Sequence, residues 1–307
     1  MDPRDIRPSL RPPMSLAVRA ETGSTYVHRR FWRKLKSNFM VGLTVVATVI
    51  AAVPLFLILG YLISKGASSV NWNFFTRMPV PVGQSGGGMA NAIVGTFELV
   101  AVAILMGVPV GIGAGIYLAE QPANWLAQAV RFAADIMMGI PSIVVGIFIY
   151  ALVVQPAGGF STFAGSAALA VIMIPLVTRT TEEMILLVPS ELREAALALG
   201  VARWRTTLSV VVRAAASGIA TGIILAIARI AGETAPLLFT AFGNRFWSTS
   251  LTEPIASLTV QVYTYAISPF ADWQRQAWAG ALVLTAIVLA LEIGVRWMTR
   301  GSARVAR

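Results

Sequence analysis

Between Lys36 and Lys65 the chain carries no charged side chain, and the same is true between Glu98 and Glu120, between Asp135 and Arg179, and between Arg275 and Glu292. An α-helix rises about 1.5 Å per residue, so roughly 20 apolar residues cross a hydrocarbon layer about 30 Å thick. With 12% charged and 56% hydrophobic residues, and a mean hydropathy of +0.73, the chain has too few charges to cover a soluble globule of its size. Most of it is solvated by lipid, where backbone N–H and C=O groups must be satisfied within their own segment, and this selects helices. The apolar runs place spans near 39–63, 91–118, 130–154, 163–178, 214–242 and 277–298. The expectation is an all-α membrane protein with six transmembrane helices. The first run is longer than a signal-peptide core and has no convincing small-residue cleavage site, so it is expected to remain as the first span.

The net charge of +10 raises nucleic acid as a partner, but a nucleic-acid binder gathers its basic residues on a soluble face. Here they flank apolar spans and read as topology signals. With the N-terminus inside, the cytoplasmic segments hold nine Lys/Arg in the N-terminal tail, one at Arg131, five from Arg179 to Arg213 and four from Arg296 to Arg307. Only Lys65, Arg77, Arg245 and Arg275 fall outside, with Arg229 inside a span. The positive-inside rule then puts both termini in the cytoplasm. The implied organisation is a basic tail over 1–38, a transmembrane domain over 39–298 containing a cytoplasmic connection at 179–213, and a second tail over 299–307. No cysteine is present and His28 stands alone in an arginine-rich segment, so no metal site, cofactor or histidine-based catalysis is expected.

Packing signals are also legible. Gly107, Gly111 and Gly115 repeat every four residues and make a smooth helix face, as do Gly218 and Gly222, and such faces permit close helix contact. The outer segment 64–90 carries Trp72, Phe74 and Phe75, which reads as an interfacial aromatic anchor, followed by prolines and Gly86 to Gly88 as a flexible turn.

No G-x-x-x-x-G-K-[ST] sequence occurs, so the chain has no P-loop with which to cradle nucleotide phosphates, and an ATP-driven motor would be another polypeptide. The connection 179–213 is where such a motor would grip. Its polar and apolar residues alternate at helical spacing around Pro189, which predicts two short amphipathic helices with a break between them. Within it Glu194-Ala195-Ala196, then Gly200, then Val210 and Val212 resemble the E-A-A-x3-G-x9-I-x-L-P loop of binding-protein-dependent ABC importer permeases. Small alanines let a helix sink into a partner's groove, and the glycine lets the chain turn as it leaves. Arg213 stands where that loop has proline.

The resemblance extends to Pro141-Ser142 in GIPSIVVGIF, to GGGMANAIVGT from Gly86 to Thr96, to RTTEE from Arg179 to Glu183, and to RIAGETAPLLF from Arg229 to Phe239. Together these segments, spanning roughly residues 70–290, resemble the PstA-type permeases of phosphate-specific transporters. The resemblance implies a type I ABC importer permease in the plasma (inner) membrane, with N- and C-termini cytoplasmic. It also implies a homologous PstC-like permease, two PstB-like ATPase subunits and an extracytoplasmic PstS-like phosphate-binding protein as partners. The chain itself would be no enzyme, with ATP hydrolysis left to the ATPase subunits.

An ionisable residue at bilayer depth costs about 2.5–3.5 kcal/mol on insertion scales, so it is expected to be paired or functional. Arg229 and Glu233, four residues apart in the expected fifth span, would share one helix face. As a neutralising pair they would tune packing. As pathway residues, Arg229 would offer planar donors to phosphate oxygens, and Glu233 would hold the arginine or accept the proton that phosphate still carries. Pro236 removes the amide bond back to Gly232 and should bend the helix beside them. Arg179, at the expected end of the fourth span, reads as an interfacial anchor; the resemblance makes it a pathway residue as well, with Glu182 and Glu183 one turn on. Glu98 and Asp135 fall near expected span ends, within reach of water. The reading is a substrate pathway of Arg229, Glu233 and Arg179, and an ATPase-coupling surface of Glu194, Ala195, Ala196 and Gly200. A molybdate or sulfate permease would want the same cationic path, and a proton-coupled transporter using Glu233 as a relay would need no ATPase.

Overall fold

The computed structural model describes residues 16–82, 84 and 86–302, so the outer parts of both expected tails lie outside the described residues. Every regular element among those residues is helical. The chain divides into two units, residues 1–61 and 62–307. Helix α1, Leu16–Gly66, makes the first unit and runs on past the division. Its stretch from Trp32 onward is long and apolar enough to cross a membrane, and side chains such as Phe56 and Ile58 are exposed, as lipid-facing groups are.

The second unit opens with a 3₁₀ turn at Ala67–Ser69 and the short α2, Trp72–Thr76, followed by α3, Ala90–Glu120, and α4, Trp125–Gly139. Next comes α5, Ser142–Ile149, which passes through a π-turn at Tyr150–Val154 into α6, Gln155–Ala157. After α7, Thr162–Leu186, come α8, Ser190–Ala198, and α9, Arg203–Thr206; a second π-turn at Thr207–Val211 joins α9 to α10, Val212–Ala231. The last elements are α11, Ala235–Thr240, α12, Leu258–Ala266, and α13, Ala271–Ser302. Among the described residues five stretches are long and apolar enough to span a bilayer, and a sixth is obtained if α4 to α6, bent by 107°, count as one.

Helix α7 is the centre of this unit, and glycines decide how tightly it is held. A β-carbon at Gly111 would lie 2.7 Å from Val177 Cβ, and one at Gly115 would lie 2.6 Å from the Thr178 carbonyl oxygen. No larger residue fits, so the glycine face of α3 lies directly on α7. On another side of α7, Gly218 and Gly222 of α10 receive Met184 and Thr180. Leu99, Leu169, Met173, Val177 and Ile230 fill the space between these helices and are almost fully buried.

Three spans depart from the expected ones. The span expected at 130–154 is broken: Pro141 has no amide to donate, and the residue before a proline is pushed out of the helical region, so Ile140 is extended with ψ 131°. The span expected to stop at 178 continues to Leu186, because Arg179 is neutralised within the protein and does not have to reach water. The span expected over 214–242 begins at Arg203 and ends at Ala231. Pro236, in the first turn of α11, starts a new short helix where a bend in a continuous one was expected. The outer aromatic element does more than mark an interface. Trp72 is 80% exposed, but Phe74 is buried among Met89, Leu258 and Tyr265, and Asn71 caps α2 by accepting from the Phe74 amide at 3.0 Å.

Candidate functional site

Four charged side chains from two helices meet where α4 lies along α7. Arg131 and Asp135 are one turn apart on α4, and Arg179 and Glu182 one turn apart on α7, so each helix offers one cation and one anion to the same side. Glu182, 2% exposed, is the hub. Its Oε1 accepts from Arg131 Nε at 2.8 Å and Nη2 at 2.5 Å, and its Oε2 accepts from Arg179 Nη1 at 2.5 Å. Arg179 Nε also lies 3.0 Å from Asp135 Oδ1. Arg131 Nη2 donates in addition to the Leu118 carbonyl, one of the otherwise unpaired groups in the last turn of α3. A carboxylate this buried is stable as an anion only when its lone pairs are taken by charged donors, and here three N–H groups take them.

Of this group the sequence singles out only Arg179, as a pathway residue. Glu182 was an adjunct of Arg179, Asp135 a span-end residue and Arg131 a topology signal. The available signal was the pairing of i, i+4 opposite charges on α4 with i, i+3 opposite charges on α7, inside apolar surroundings.

Arg229 is in the last turn of α10 and exposed, and it lines an apolar cavity of about 320 Å³ with Met137, Ile140, Phe148 and Ile172. The bend between α4 and α5 forms one wall of that cavity. Glu233 does not share a helix face with Arg229, because α10 ends at Ala231 and Glu233 lies in the break before α11. No ion pair joins the two among the described residues. The break is instead tied down through the backbone, where the Glu233 carbonyl accepts from Thr259 Oγ1 at 2.9 Å. Pro236 is buried, and a β-carbon on Gly146 of α5 would lie 2.7 Å from its Cα, so α5 and α11, the helices that follow the two breaks, lie in direct contact.

The connection between α7 and α10 departs in part from the expectation: residues 179–186 belong to α7, and the two short helices, α8 and α9, both follow Pro189. Pro189 is the N-cap of α8, and α8 ends at Ala198. The Val201 amide donates to the Ala196 carbonyl and the Gly200 amide to the Leu197 carbonyl, the paired bonds of a Schellman turn. That turn needs a left-handed residue, and Gly200 supplies it with φ +79°. Ala196 faces inward, whereas Glu194, Ala195 and Leu199 are exposed. Arg193 pairs with Glu120 and so fastens α8 to the end of α3.

Residues 111–304 match the model of the family described as binding-protein-dependent transport system inner membrane component. The chain belongs to that family. It is 49% identical over 269 residues to the phosphate transport system permease protein PstA of Yersinia pestis, covering 87% of this chain and 91% of the relative. The probable phosphate transport system permease protein PstA of Methanocaldococcus jannaschii is 35% identical over 274 residues, 89% of this chain and 97% of that one. Among solved structures, a chain of a bacterial alginate ABC transporter aligns with a TM-score of 0.60 at 15% identity, covering 88% of this chain and 97% of that one. A chain of the inward-facing MetNI methionine ABC transporter aligns with a TM-score of 0.57 at 18% identity, covering 69% and 96%. The fold is therefore that of type I ABC importer permeases, and the permease is a multi-pass protein of the inner membrane.

Proposed function

We propose that this permease is the PstA-type half of an ATP-driven phosphate importer. The observation that carries the reading is the 49% identity to a phosphate transport permease over 91% of that relative's length. The chemistry agrees: guanidinium groups are the side chains best shaped for a tetrahedral oxyanion, and Arg229 faces a cavity at a broken span with no acidic partner among the described residues. Non-helical backbone at membrane depth suits a face that lines a hydrated path.

In this reading phosphate arrives on an extracytoplasmic PstS-like binding protein and passes between this chain and a homologous PstC-like permease. Two PstB-like ATPase subunits receive α8 through its exposed Glu194 and Ala195, while inward-facing Ala196 seats the helix on this chain and the Gly200 turn closes it. ATP-driven closure of the motor brings the α8 helices of the two permeases together and turns the cavity outward, and hydrolysis reopens it inward. The Arg193–Glu120 pair carries that displacement to α3 and so to α7. The test is phosphate uptake and copurification in cells that depend on this chain. Uptake should require ATP, resist excess sulfate and molybdate, and be lost in Gly200→Val, whose left-handed backbone a β-branched residue does not tolerate, together with retention of the ATPase subunits. Equal competition by sulfate, or uptake by the chain alone under a proton gradient, would point to another transporter.

Both termini are cytoplasmic in this arrangement, on the strength of the Lys/Arg bias. A cysteine placed at Ser37 should then react only with reagents applied from the cytoplasm, and one at Gln84 only from outside. Reaction of both from one side would refute the orientation.

A further inference from the structure

We infer that Asp135 is a displaceable counter-ion of Arg179 and sets how fast the transported anion is released toward the α8 side. The inference rests on the proposed phosphate pathway and adds a residue and a step to it. Arg179 is held at two points of different character. At Nη1 its partner is Glu182, whose side chain is 3% exposed and whose other oxygen is fixed by Arg131. That end is a permanent mount, because withdrawing it would strand buried charges. At Nε its partner is Asp135, whose side chain is 48% exposed. A half-exposed carboxylate is solvated whether or not it holds the arginine, so it lets go at small cost.

The Nε side, with the adjoining Nη2, is also the two-donor edge on which a guanidinium receives an oxyanion. Asp135 thus occupies the place that phosphate would take, and the exchange of one for the other leaves Glu182 and α7 where they are. Position supports the exchange. Met137 and Met138, two and three residues beyond Asp135, line the cavity that holds Arg229. Ile172 lines the same cavity, and Arg179 lies seven residues further along α7, about 10 Å at 1.5 Å per residue. An anion leaving Arg229 toward the end of α7 meets Arg179 next. An arginine without Asp135 would keep that anion; the returning carboxylate expels it.

The experiment measures radiolabelled phosphate uptake by cells that depend on this chain, with Asp135→Asn and Asp135→Glu compared at equal membrane level. Asp135→Asn removes the charge at nearly constant volume and spares the Arg131–Glu182–Arg179 mount. Its Vmax and KM should fall together, by about 5-fold, the equivalent of about 1 kcal/mol for the lost competitor. Asp135→Glu should restore both. Unchanged constants in Asp135→Asn, or a lower Vmax with KM unchanged or raised, overturn the inference. Loss of the Asn variant from the membrane also overturns it, since a displaceable partner is not one on which folding depends. A Glu variant that behaves like the Asn variant does the same. Absence of phosphate uptake by the unsubstituted chain would instead remove the importer reading itself.

Discussion

Glu182→Leu is expected to destabilise the permease by about 3–5 kcal/mol, the cost of removing the shared partner from a buried ionic group. The substitution is tolerable in volume and fails electrostatically. Arg131 and Arg179 would face each other across the gap with only Asp135 to share, and the Leu118 carbonyl would keep a donor that has lost its mount. Both arginines are about a quarter exposed, so some of the cost is relieved by water reaching them. The readout is the amount of protein in the membrane fraction and the Tm of the detergent-purified chain. A Tm equal to that of the unsubstituted protein would mean that the network contributes no net stability.

Arg229→Gln is expected to lower phosphate uptake about 10- to 100-fold, from the loss of hydrogen bonds between an ionised donor and an ionised ligand. Membrane abundance should hold. Were Arg229 paired with Glu233 across a helix turn, a single substitution would strand a buried carboxylate and confuse folding with transport. Because α10 ends between them and Arg229 is exposed, the single variant is decisive. Arg229→Lys keeps the charge and loses the planar fork, so it should fall between the two. Normal uptake by a well-expressed Arg229→Gln protein would take Arg229 out of the pathway.

The sequence made the spans legible to within one, five helices or six with the bent pair counted as one, because charge-free runs have one physical interpretation in a chain so poor in charge. Glycine faces were legible for a similar reason: repetition every four residues on α3 has no use except close approach, and α7 fills it. Helix ends were harder. Pro236 reads as a place where a helix is weakened, and Pro141 carries the same signal inside a span expected to be continuous, but whether such a place bends or breaks depends on neighbours that can take up the freed backbone groups. Thr259 does this for Glu233, and it comes from a segment 26 residues away. The ionic group was obscured for the opposite reason. Charges were weighed by distance from a span end, and a charge at a span end is ordinarily solvated. Glu182 is buried there because Arg131, 51 residues earlier, folds back onto it.

The notched packing around α7 has a mechanical consequence. Methionine and valine side chains seated in glycine notches resist sliding and rotation together, so α3, α7 and α10 form a stiff slab that can tilt but cannot shear. Compliance is left to the breaks themselves, between Gly139 and Ser142 and between Ala231 and Ala235, where few helical bonds cross the gap. In the proposed importer a push delivered at α8 would travel through the slab with little loss and be spent as local bending at those two breaks, each a flexure in a lever.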